Sequence, residues 1–183
     1  MTRAMSIGIV AGTSGATRAY SSTPAAWGSG GRPGWTLLQA PLTYSHFWGD
    51  RMAEFVIRTR KGQEMVDITE RVVALVRQSG ISEGICLVYV PHATAAVVIN
   101  ENADPNVCED ILDALAHVIP EGGWRHDRID KNAAAHIKAT ILGPSETVPV
   151  REGGLRLGTW QSVMLVELDG PRERTVIVDV SGQ

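Results

Sequence analysis

No run of apolar residues in this chain approaches the roughly 18 that a membrane-spanning helix needs, so no span and no membrane partner are expected. Cysteine is scarce. Cys86 and Cys108 are the only two, and neither has a close-spaced partner for a metal knuckle. Both read as reduced thiols inside packed elements of a cytoplasmic protein. Bulk charge is small as well. A net charge of -3 and a pI near 5.9 give nothing that draws in nucleic acid or an anionic bilayer. Three common signatures are missing: the Gly-x-x-x-x-Gly-Lys phosphate loop, the Gly-x-Ser-x-Gly elbow and the His-Glu-x-x-His pair.

What is present is one domain with a leader of different character. The chain has 183 residues, 44% of them hydrophobic, enough for a single core. Residues 1–51 hold Arg3, Arg18, Arg32 and Arg51 against one acid, Asp50, and are rich in Gly, Ser, Thr and Pro. Their charge of +3 leaves -6 for residues 52–183. Such a segment buries too little apolar surface to offset its ordering entropy. Three readings stay open: a disordered tail, an extension upstream of a domain that starts at Met52, or a transit-type leader. A secretory signal is not expected, because no continuous apolar core precedes a small-residue cleavage site. Trp27, Trp35, Phe47 and Trp48 are four large aromatics able to dock on a neighbouring surface.

From residue 52 onward the pattern is α+β. Residues 53–60 alternate as a strand, and Lys61-Gly62 turns. Asp67 and Glu70 have capping-box spacing ahead of the helical repeat Ile68, Val72, Leu75 and Val76, which Gly80 ends. Residues 84–90 and 94–100 read as buried strands interrupted by Pro91. Asp104-Pro105 predicts a helix start, with Val107, Ile111, Leu115 and Val118 as its buried stripe and Pro120 as its end. His117 lies in its last turn and reads as a capping or surface histidine. Residues 121–135 read as a loop. Strands are expected at 136–142, 146–150, 155–157, 160–167 and 174–180, the last two forming a hairpin across Asp169-Gly170-Pro171. The sum is a largely antiparallel sheet assembly with two helices in a single domain, not a doubly wound nucleotide fold.

The chemistry-bearing residues centre on His92, which follows a buried strand, and on His126 and His136 downstream. Glu101, Asp104, Asp127 and Asn132 lie near them in sequence. Three imidazoles suit a zinc-type ion with one open position. The same three suit a phosphate without metal, or one of them suits a general base near neutral pH. Their spacing decides among none of these, and each histidine also has an ordinary structural reading.

Several segments carry a family resemblance in this order: Pro91-His92-Ala93-Thr94-Ala95-Ala96, Ile99-Asn100-Glu101-Asn102-Ala103-Asp104-Pro105, Asn132-Ala133-Ala134-Ala135-His136-Ile137-Lys138, Leu142-Gly143-Pro144-Ser145, Val148-Pro149-Val150 and Leu157-Gly158-Thr159-Trp160-Gln161. Together they resemble the YjbQ-like family, described as secondary thiamine-phosphate synthases, over about residues 52–182. The resemblance implies an α+β homotrimer with its histidine site near subunit contacts. It implies condensation of a hydroxymethylpyrimidine diphosphate with a thiazole phosphate, as a secondary activity beside a physiological substrate that is not fixed. It also implies roles: His92, His136, Asn132, Glu101 and Asp104 in catalysis, and Lys138, Arg128, Thr94 and Gln161 on phosphate. His92, His126 and His136 would hold a divalent metal, zinc or magnesium, and no organic cofactor is implied. Two positions depart from the family pattern: Lys131 stands where members often carry an acid, and Ala134 where they carry a second histidine. Two functions follow from these residues. One is an enzyme acting on a small phosphorylated metabolite. The other is a non-catalytic trimer that binds a metal or an anion.

Overall fold

β-branched and apolar residues at alternate positions build most of this domain. In the computed structural model, residues 52–183 and the two-residue strand β1 (Thr43–Tyr44) are described. The expectations for the leader, its four aromatics included, lie outside the described residues. The elements that follow are β2 (Met52–Arg58), β3 (Glu64–Asp67), α1 (Thr69–Ser79), β4 (Glu83–Tyr89), β5 (Ala95–Glu101), α2 (Pro105–Val118), α3 (Ala133–Leu142), β6 (Ser145–Arg151), β7 (Gly154–Leu155), β8 (Gln161–Glu167) and β9 (Glu173–Gly182). A 3-10 turn at Arg125–Arg128 precedes α3.

Two antiparallel sheets form, ordered β1-β2-β9-β4-β6-β7 and β3-β8-β5. The main core lies between them. Phe55, Cys86, Val88, Val176 and Val178 of the larger sheet meet Ala95, Val97, Val163 and Leu165 of the smaller, and α1 adds Val72, Leu75 and Val76. The smaller sheet is covered on its other face. Ala96, Val166 and Leu168 pack with Ala135 and Ala139 of α3, with Val98 and Leu112 alongside. β8 is therefore buried on both faces, which is why Val163–Val166 reads as a continuous apolar run.

The fold class is α+β, as the pattern predicts, and the differences have local causes. Residues 136–142 were expected as a strand because Ile137, Thr140 and Ile141 are β-branched. They belong to α3 instead. Ala133, Ala134 and Ala135 are strong helix formers and small enough to lie close against β5, and the tertiary contact overrides the β-branched residues. The domain thus has three helices rather than two. The hairpin expected across residues 169–171 does not form. β8 pairs with β3 and β5, whereas β9 pairs with β2 and β4, so the connection crosses between sheets. β3 was not expected at all.

The helix ends follow the sequence except at the start of α1, where the expected Asp67 cap falls one residue early. Asp67 accepts the Thr69 N–H at 2.8 Å, one residue ahead of the cap position, and no side chain completes a capping box there. Gly80 closes α1 in the left-handed region, at φ 69°. Asp104 caps α2 by accepting the Asn106 N–H at 2.9 Å, with Pro105 in the first turn. The apolar stripe of α2 is only half-covered: no α2 residue is buried, and Val118 is 74% exposed.

Candidate functional site

His126 and His136 come together because one carboxylate organises both of their elements. Asp127 accepts the Trp124 N–H at 2.9 Å, which starts the 3-10 turn, and the Ala133 N–H at 3.1 Å, which starts α3. Trp124 is tied down further by its indole N–H, bonded to the Pro120 carbonyl at 2.8 Å. The two imidazoles then meet edge to face, with ring centroids 5.1 Å apart. Asp130 lies 3.7 Å from Nε2 of His126. A shallow groove of about 430 Å³ opens beside them, lined by Trp124, Arg125, His126, Ala133, His136 and Ile137. Two imidazoles, an indole and a guanidinium around apolar walls suit a small ligand with a flat ring and an anionic group.

His92 does not line that groove. Its Nε2 accepts the Thr175 N–H at 2.8 Å. Burial and the charge of Arg174 push its pKa below the ordinary histidine value, and Glu167 pulls the other way. Beside it lies a buried ion pair that the pattern reading missed. Glu167 Oε1 accepts from Arg174 at 2.5 Å and from the Leu168 and Asp169 N–H groups at 2.9 Å each. Its Oε2 accepts from Arg174 at 2.7 Å and from the Thr59 hydroxyl at 2.9 Å. Burial alone would raise the Glu167 pKa, but the Arg174 bonds and the backbone N–H groups outweigh it and hold the carboxyl below its ordinary value. The signal was present in sequence: an acid and a base, each next to a stretch of otherwise apolar strand.

The remaining expected site residues divide into three groups. Thr94 is buried, and its hydroxyl accepts from Arg174 at 3.0 Å. Asn132 joins α3 to the β8–β9 connection through a 3.0 Å bond from its Nδ2 to Asp169, and its Oδ1 is buried with no partner among the described residues. Lys138 is fully buried, with Nζ 3.2 Å from Gln63 and 3.4 Å from Glu121, so its charge is already paired. Arg128 is exposed on the 3-10 turn. Glu101 and Gln161 face each other at the far end of the smaller sheet, where Gln161 accepts the Gly158 N–H at 2.8 Å, and Asp104 is committed to capping α2. The register Ala95↔Glu167 to Glu101↔Gln161 puts that end about 20 Å from the Glu167 end, at about 3.3 Å per residue. Ala134, one of the two departures, is fully buried.

A metal on all three histidines does not fit one chain. Among the described residues no three His, Cys, Asp or Glu side chains are grouped to hold an ion. His126 and His136 are neighbours, and His92 is engaged with Thr175.

The family model described as "UPF0047 protein YjbQ-like" matches residues 53–183. The chain belongs to the YjbQ-like UPF0047 family. A UPF0047 protein of Methanocaldococcus jannaschii is 42% identical over 129 residues, spanning 70% of this chain and 93% of the relative. The UPF0047 protein YugU of Bacillus subtilis is 44% identical over 129 residues, spanning 69% and 96%. A solved YbjQ-like protein from Sulfolobus solfataricus P2 superposes with a TM-score of 0.70 at 46% identity, covering 72% of this chain and 96% of the other. The YjbQ-like domain contains the His92, His126 and His136 positions. No helix among the described residues is long and apolar enough to cross a membrane.

Proposed function

We propose that this YjbQ-like domain is the subunit of a cytoplasmic homotrimeric enzyme acting on small phosphorylated metabolites. Its chemistry is that of a thiamine-phosphate synthase, as a secondary activity. The observation that carries this reading is the groove at His126 and His136, where aromatic and apolar walls adjoin Arg125. In the reaction a thiazole ring nitrogen attacks the methylene carbon of the pyrimidine diphosphate. A C–N bond forms, the C–O bond breaks, and the electron pair leaves with diphosphate. The protein's part is to orient two rings and to supply donors to the departing anion. Arg125 and the two imidazoles line the groove and Arg128 is on the same turn, which supports assigning them that part.

Trimer assembly draws support from surfaces that one chain leaves open. The apolar stripe of α2 has no buried member, and Ile85, Leu87 and Tyr89 are exposed on the larger sheet. Glu101 and Gln161 stand about 20 Å from the Glu167 end of the sheet, so they join a site with His92 only when another copy supplies one group. Light scattering that gives a monomer mass at micromolar concentration contradicts the assembly.

The competing reading is a non-catalytic trimer that binds a metal or an anion. The prior engagement of Lys138 and Thr94 favours it, since fewer charges are left to act on a leaving group. Mass spectrometry of purified protein incubated with both phosphorylated heterocycles separates the two. Thiamine phosphate and diphosphate formed together support the enzyme. Bound anion or metal with no product supports the binder.

A further inference from the structure

His92 occupies a place in the sheet that a strand carbonyl would normally fill. β4 pairs with β9 from Gly84↔Gly182 to Tyr89↔Ile177, and the register ends there. Val90 still follows the register on the β6 side, its N–H bonded to the Pro144 carbonyl at 2.9 Å, but has no partner on β9. Thr175 lies two residues beyond the last pair on β9 and is still matched to Val56 of β2 on its other side. The N–H of Thr175 is satisfied by Nε2 of His92 at 2.8 Å. The imidazole thus closes the ladder where β4 has ended.

That contact determines which nitrogen carries the proton. A backbone N–H only donates, so Nε2 must present a bare lone pair. A neutral imidazole has one N–H, which therefore sits on Nδ1. Nδ1 makes no hydrogen bond within the described residues, and the ring is half-buried. A metal bound at Nδ1 would send the proton to Nε2, where it would meet the Thr175 N–H head on. A general base at Nδ1 needs the same bare nitrogen.

We propose that His92 is a fixed neutral donor whose Nδ1–H binds a phosphoryl oxygen of the ligand, with neither ring nitrogen available to a metal ion. The proposal rests on the phosphorylated-ligand reading above and assigns His92 a role within it. A donor aimed at an anionic oxygen gains the strength of a charge-assisted bond. The adjoining network keeps the ring in place: Arg174, next to Thr175 in β9, is locked onto Glu167 and Thr94.

The test uses the full chain labelled with nitrogen-15 histidine, observed by long-range proton–nitrogen spectra above neutral pH. Pyrophosphate and zinc ion are added in separate titrations. His92 is expected as the Nδ1–H tautomer, shifted by pyrophosphate and untouched by zinc. An Nε2–H tautomer, or zinc ligation at His92, overturns the proposal. His92→Gln supplies the second arm, because its side-chain carbonyl can accept the Thr175 N–H while no donor remains at the Nδ1 position. Calorimetry should show pyrophosphate affinity weakened on the order of ten- to a hundredfold, with an unfolding temperature close to that of the parent. Unchanged affinity in this variant overturns the donor role. Pyrophosphate shifts confined to His126 and His136 would also remove His92 from the site, yet leave the groove reading intact. No shift at any histidine with pyrophosphate or with the pyrimidine diphosphate would overturn both.

Discussion

Arg174→Met isolates the cost of a buried charge in this fold. Glu167 is fully buried, and its carboxylate is satisfied by five hydrogen bonds, two of them from Arg174. Methionine removes both of those and leaves the anion with two backbone N–H groups and the Thr59 hydroxyl. Breaking a buried pair in this way costs about 3–5 kcal/mol. For a domain of this size, roughly 3–5 °C of Tm accompanies each kcal/mol, so the midpoint should fall by roughly 10–20 °C. The origin of the loss is checked by Glu167→Gln in the same background. A neutral amide keeps the shape and can still accept the Leu168 and Asp169 N–H groups. The double variant should therefore be more stable than Arg174→Met alone. Differential scanning calorimetry at one protein concentration reads both. The sign with pH is a further check. In the parent, Glu167 is held below its ordinary pKa, so its contribution is present above that ordinary value and is lost as pH falls. In Arg174→Met the carboxyl is less well compensated, and the deficit should shrink on acidification. A Tm change of only a degree or two, or a double variant no better than the single, would show that the pair is not what holds this corner.

Other outcomes follow from the same structure. His92 has a lowered pKa, so the unfolded chain binds its proton first; stability should begin to fall as pH drops below the unperturbed histidine value of about 6.5, and His92→Gln should flatten that limb in pH-dependent denaturation. Cys86 is buried, and burial together with Asp179 pushes its thiol up to about 12, so iodoacetamide should leave it unlabelled at neutral pH until the protein is denatured. Gly84→Ala should destabilise by about 1–3 kcal/mol in urea melts, because its Cβ would lie 2.0 Å from the Ser181 carbonyl oxygen across the β4–β9 pair. Leu75→Ala should cost about 2–5 kcal/mol, since Leu75 is buried where α1 seals the two sheets.

Where one local rule acts alone, the fold was legible from residues. Asp104-Pro105 announces α2 and Gly80 ends α1, because a cap or a left-handed glycine depends on neighbours a few positions away. α3 was misread because its signal is mixed: three alanines favour a helix, Ile137, Thr140 and Ile141 favour a strand, and the deciding term is close packing on β5. The β8–β9 connection has turn chemistry, yet turn chemistry does not specify which sheet each strand joins. The site was legible in part for a similar reason. His126 and His136, ten residues apart, are joined by the local clamp of Asp127. His92 is brought to Thr175 by a sheet register that spans 83 positions, which no spacing rule contains. Glu167 and Arg174 were visible as charges beside apolar strands, but their pairing depends on the crossing between sheets.

Product formation compared across four proteins tests the central claim most directly: the parent, His136→Ala, His126→Ala and His117→Ala. The substrates are the hydroxymethylpyrimidine diphosphate and the thiazole phosphate, and circular dichroism serves as the folding control. His117 is exposed in the last turn of α2, away from the groove lining, and its variant should match the parent. His136→Ala and His126→Ala should lose thiamine phosphate formation by on the order of a hundredfold or more while keeping the parent's spectrum. No product from the parent, or equal rates from all four, would contradict the account.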